Sequence, residues 1–170
     1  VTSSLPPYRR PSSLRPLLFW ALRLGLGALF VYTGVIKLAD PTAFALEIHN
    51  YQLFPALAPL LAGSLPAVEL AIGAALLAGP RPWLRAGALA CAALMVVFTV
   101  AVGSAVARGI NISCGCFGAG SGPVTMATVL RDVVLLAASA ALLVLSRAPL
   151  APGDPQRPPA ATPRAQRARS

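Results

Sequence analysis

Charge is what this sequence has least of. Only 11% of its 170 residues are Asp, Glu, Lys or Arg, against roughly 25% in a soluble domain. That shortage argues against a soluble globular protein and against a disordered one. Acid is scarcer still, with five Asp and Glu against fourteen Lys and Arg and a net charge of +9. Three cysteines are too few for a disulfide-stapled scaffold. What fills the chain is apolar: 56% of residues are hydrophobic and the mean hydropathy is +0.72.

The apolar residues gather into four runs, each of the roughly 20 residues that a bilayer crossing needs. The first is Leu17 to Leu38, interrupted by Arg23. The second lies within Leu53 to Gly79 and holds only Glu69. The third, Ala86 to Ala107, has no charge. The fourth, Val124 to Ser146, carries Arg131 and Asp132 side by side. A soluble bundle of core helices would leave nothing to cover such a core. The first run is too long for a signal peptide and reads as a retained helix. Asp40-Pro41 ends it, and Thr42 to Tyr51 reads as a short interfacial helix with Phe44, Ile48 and Tyr51 on one stripe. Pro55, Pro59 and Pro66 break up the start of the second run. The expected fold is therefore all-α: an integral membrane four-helix bundle with a short interfacial helix after the first span. Its parts are a basic N-terminal tail (1–16), the helical domain (17–147) and a disordered Pro-, Ala- and Arg-rich tail (148–170).

The excess of cations reads as a topology signal. Arg9, Arg10 and Arg15 precede the first span, Arg81 and Arg85 separate the second and third, and Arg147, Arg157, Arg164, Arg167 and Arg169 follow the fourth. Short flanks rich in Lys and Arg stay on the cytoplasmic side, so both termini are expected inside. The other side keeps Lys37 and Arg108, and its longer segment, 108–123, is rich in glycine. With its cations explained this way, the chain needs no nucleic-acid partner.

That outer loop holds Cys114-Gly-Cys116. Outside the cytoplasm disulfides persist, and a Cys-x-Cys ring is small enough that its bond should be strained and easily reduced. Three readings stand at this point: a redox pair, a passive loop disulfide, and metal ligation, for which His49 and Asp40 are the only nearby donors. Arg108 and the start of the fourth helix would favour the reactive thiolate. Cys91, deep in the third span, reads as a small core residue.

Ionisable residues inside a bilayer are costly and usually face the bundle interior in pairs. Glu69 lies roughly 13 Å below the outer surface and Arg131 and Asp132 about 10 to 12 Å below it. Matching depth predicts a Glu69–Arg131 pair, with Asp132 turned toward Lys37 or a polar lining. Either this is a proton or quinone-head site or it is ionic glue between helices. Arg23, nearer the inner surface, is expected to snorkel.

The ordered set Gly34-Val-Ile-Lys37-Leu-Ala-Asp40-Pro41, Tyr51-Gln-Leu-Phe-Pro55, Leu65-Pro66-Ala-Val-Glu69, Arg108-Gly-Ile-Asn-Ile-Ser-Cys114-Gly-Cys116-Phe-Gly and Leu130-Arg131-Asp132 resembles the methylamine-utilisation protein MauE family, a branch of the DoxX-like four-helix membrane proteins. The resemblance covers residues 17–147. It implies a membrane protein linked to thiol redox, with a family role in maturing the disulfide-rich, exported light subunit of methylamine dehydrogenase. Arg outnumbers Lys 13 to 1, as in GC-rich bacterial genomes.

The combined expectation is a thiol–disulfide redox protein of the bacterial cytoplasmic membrane. Cys114 and Cys116 are its redox pair, Arg108 supports the thiolate, and Lys37, Asp40, Glu69, Arg131 and Asp132 form an intramembrane polar cluster. The expected partners are the lipid bilayer and an exported thioredoxin-like protein or disulfide-containing substrate. The candidate cofactor is a membrane quinone. A non-catalytic assembly subunit and a small transporter are the alternatives. The topology predicts that alkaline phosphatase fused after Ser170 is inactive and that a fluorescent protein fused there is bright; the reverse pair of results overturns it.

Overall fold

The computed structural model describes residues 14–110 and 124–147. Five α-helices follow in order: α1 (Leu14–Ala39), α2 (Pro41–Asn50), α3 (Ala58–Ala78), α4 (Arg81–Ala107) and α5 (Met126–Arg147). A 3-10 turn, Pro55–Leu57, leads into α3. Four of these stretches are long and apolar enough to cross a membrane, and α2 is the short one. No strand occurs among the described residues. The loop 111–123 with Cys114 and Cys116, and both tails, lie outside them.

Local chemistry sets the boundaries. Pro41 cannot extend α1 but suits the first turn of α2. The Asp40 side chain caps that turn, its Oδ1 accepting from the Ala43 N–H at 2.9 Å. Gly79-Pro80 breaks the chain between α3 and α4. The latter begins at Arg81, earlier than the Ala86 expected from hydropathy, because Pro82 is tolerated in a first turn. The last helix begins at Met126, two residues after the expected Val124. Pro66 sits inside α3 without ending it, and its carbonyl faces α1.

Glycines bring α1 and α3 together. A Cβ on Gly73 would meet Val31 Cγ2 at 2.6 Å and the Gly27 carbonyl at 3.0 Å, and one on Gly34 would meet Leu70 Cγ at 2.9 Å and the Pro66 carbonyl at 3.0 Å. Small residues at such contacts let helix backbones approach closely, which is how helices associate where lipid competes with side-chain packing. On the other side of the bundle α4 packs on α5. There Cys91, fully buried, lies 3.1 Å from Ser139 Oγ, as a core residue should.

Along the spans the exterior is apolar, and Arg23, Lys37, Glu69 and Asp132 are buried inside. Leu60, Leu130 and Val144 are each about two-thirds exposed, whereas Glu69 is 1% and Lys37 3% exposed. In water this arrangement would be costly on both counts; in lipid it is what the solvent demands.

Arg23 does not snorkel. It is buried, and its guanidinium donates to the carbonyls of Leu76 at 2.6 Å, Leu77 at 3.2 Å and Gly79 at 3.0 Å. The last carbonyls of a helix lack intrahelical donors and carry the negative end of its dipole. A cation held there by three hydrogen bonds has no reason to reach for the interface. Arg85 does the same for α5, donating from Nε to the Ser146 carbonyl at 3.1 Å.

Two glycine substitutions test this packing. Gly73→Ala forces Val31 and the α1 backbone aside and should destabilise the protein by about 1–3 kcal/mol. Gly103→Ala meets nothing within 4 Å and should be neutral or stabilising by about 0.5–1 kcal/mol. Thermal unfolding in detergent micelles reads both; equal effects would show that the close contact carries no energy.

Candidate functional site

Three helices bring four charged side chains to one place. Lys37 comes from the last turn of α1, Glu69 from the middle of α3, and Arg131 and Asp132 from the second turn of α5. All four line one small cavity of about 30 Å³, with Thr33, Phe30 and Phe98 beside them. Four of the five cluster residues expected from sequence therefore do meet.

The pairing differs from the expectation. Glu69 pairs with Lys37, through Oε1 and Nζ, and both side chains are 2% exposed. Arg131 folds back on its own neighbour, donating from Nη2 at 3.0 Å and from Nε at 3.2 Å to Asp132 Oδ1. Depth alone matched Glu69 with Arg131, but direction decides. The close approach of α1 and α3 at Gly34 aims Lys37, one turn further on, at Glu69. Asp132 points into the bundle and is buried, while the Arg131 side chain stays one-third exposed at 34% and wraps around it.

The cluster leaves acceptors over. Glu69 Oε2 and Asp132 Oδ2 are both buried and have no hydrogen-bond partner among the described residues. Each carboxylate thus uses one oxygen for its ion pair, and both residues line the cavity. A water needs roughly 10–15 Å³, so a cavity of about 30 Å³ has room for one. Lys37 Nζ also lies 4.9 Å from the Phe44 ring centre and 5.0 Å from that of Phe98, within cation–π range. Phe98 gave no signal in a charge-free apolar run, and Thr33 none beyond being polar in a span.

The remaining expected residues lie elsewhere. Asp40 is exposed and serves as the cap of α2, not as a member of the cluster. Arg108 ties the end of α4 to the end of α2, donating from Nη2 to the Tyr51 carbonyl at 2.6 Å and from Nε to the Ser104 carbonyl at 3.1 Å. Cys114 and Cys116 lie outside the described residues. The chain leaves the described part at Ile110, whose N–H donates to the Ala105 carbonyl at 3.0 Å. It returns at Val124, which is buried against Val102 and Ala105. Among the described residues no three His, Cys, Asp or Glu side chains gather where a metal could be held.

Four helices of membrane-crossing length, apolar outside and ion-paired inside, define a multi-pass membrane protein. The chain belongs to the MauE family: the family described as Methylamine utilisation protein MauE matches residues 15–145. It is 38% identical over 132 residues to Methylamine utilization protein MauE of Paracoccus denitrificans, covering 76% of this chain and 70% of that one. It is 41% identical over 138 residues to the protein of the same name from Paracoccus versutus, covering 78% and 73%. No solved structure matches the chain.

The ion pair gives a double-mutant test. Lys37→Met alone leaves Glu69 buried without its partner and should cost about 3–5 kcal/mol of stability. Lys37→Met combined with Glu69→Leu should cost much less than the two single changes added, when unfolding is followed in micelles. Simple additivity would show that the two side chains do not interact.

Proposed function

We propose that the chain is a thiol–disulfide redox protein of the bacterial cytoplasmic membrane, with both termini inside and Cys114 and Cys116 cycling between dithiol and disulfide on the outer face. The observation that carries this reading is the Cys-Gly-Cys sequence in the loop between Ile110 and Val124. Both ends of that loop are anchored at the end of the bundle that holds α2 and the ion pairs. The family supplies the setting, methylamine utilisation. The substrate class is an exported protein that must acquire disulfides, the methylamine dehydrogenase light subunit where that pathway operates.

The exchange balances as follows. A thiolate of an exported thioredoxin-like partner attacks one sulfur of the Cys114–Cys116 disulfide, forming a mixed disulfide and releasing the other sulfur as thiolate. The partner's second thiol then attacks the mixed disulfide. The partner becomes a disulfide and the pair a dithiol, with two electrons and two protons transferred. A membrane quinone would serve as the acceptor when the pair is reoxidised, taking up the same two electrons and two protons. Arg108, close in sequence to the pair, supplies positive charge that favours the thiolate.

Acid quenching of intact cells followed by thiol trapping tests the pair directly. Both redox forms should be seen, and Cys114→Ser or Cys116→Ser should accumulate a mixed disulfide with an exported protein. Full function in both single variants would overturn the redox reading and leave an assembly or scaffold role.

A further inference from the structure

A second cavity adjoins the ion pairs and is of another kind. It is a groove of about 440 Å³ between α2, α3 and α4, at the end of the bundle that carries α2. Its walls are almost wholly apolar, with Phe44 and Ile48 from α2, Leu65 from α3, and Phe98 and Ala101 from α4. Lys37 lies at its floor. Lys37 and Phe98 line both this groove and the small polar cavity, so these two residues stand in the partition between an apolar space and a charged one.

We infer that this groove binds the head of an isoprenoid quinone, with Lys37 donating a hydrogen bond to a ring carbonyl. Four observations select that class. The groove has the volume of a small-molecule site. It opens among side chains such as Val97 and Val100 that are about 60% exposed on the lipid-facing surface, so its ligand arrives through lipid. Lys37 carries three N–H donors, of which Glu69 takes one. The charge of that lysine is already neutralised by Glu69, so a ligand phosphate or carboxylate would bring an uncompensated anion beside a buried one. A neutral acceptor has no such cost, which disfavours phospholipid heads and fatty acids. The role of the quinone as electron acceptor rests on the redox reading above; its binding does not.

Photolabelling with an azido-ubiquinone, using the full chain in lipid nanodiscs, tests the site. Label should map to the peptides of α2 and α4 that line the groove and be competed by decyl-ubiquinone but not by phosphatidylglycerol or oleate. Ala101→Trp fills the groove and should lower labelling at least about tenfold; Val100→Trp, at a more exposed position of the same wall, serves if the first variant fails to fold. Lys37→Met with Glu69→Leu removes the donor without leaving a buried charge and should weaken binding about tenfold, the value of one charge-assisted hydrogen bond. Absence of label, label outside the groove, or equal competition by phosphatidylglycerol overturns the inference. A cysteine pair that cycles while no quinone binds sinks this inference alone. Quinone bound in the groove beside a redox-silent cysteine pair sinks the redox reading instead.

Discussion

Lys37 and Glu69 attract each other across the α1–α3 contact, and the arrangement of this bundle follows from the need to keep them together. A single charge at the middle of a bilayer costs about 2.5–3.5 kcal/mol even on the mildest scales. Two opposite charges in contact remove much of that cost, but only if their helices come close. Gly34 and Gly73 provide the approach, because any side chain there would strike the facing helix. The glycine contact and the ion pair therefore depend on each other: the first aims the second, and the second makes sliding of α1 along α3 expensive.

The two ends of the bundle are built differently. At one end Arg23 donates to three carbonyls at the end of α3 and Arg85 to one at the end of α5. At the other end the chain turns aside into α2, opens a groove, and exposes Arg108 to tie two helix ends together. At the second, Glu69 Oε2 and Asp132 Oδ2 are buried without a hydrogen-bond partner among the described residues. Unsatisfied buried groups are expensive, and both belong to residues that line the small cavity.

Much of this was legible in the sequence, for physical reasons that also mark its limits. Spans follow from apolar length, so four were visible, and the Asp40-Pro41 break placed α2 within a residue of its observed start. The cluster residues stood out because charge is rare in a span. Their pairing was not legible, since depth is a one-dimensional coordinate and pairing needs the rotation of each helix about its axis. Gly34 held that information, but a small residue states that something approaches, not what. Arg23 was misread because snorkelling is judged from distance to the interface, whereas its fate was set by the end of α3, some fifty residues later. Phe98 and the groove were invisible, being apolar residues in an apolar run.

The capping arginines bear on the proposed orientation. If cations gathered at one end only to close helices, their number would carry no message about the cytoplasm. Arg23 lies within a span and was never among the ten flanking cations, and removing Arg85 from them leaves nine of fourteen on the same side. The bias is therefore larger than the capping contacts described can explain. The dipoles do not decide the orientation, because the positive residues share an end with the negative C-termini of α3 and α5 whichever way the bundle is inserted. The proposed orientation therefore rests on the charge distribution, and it is the one that would set Cys114 and Cys116 in the compartment where disulfides last.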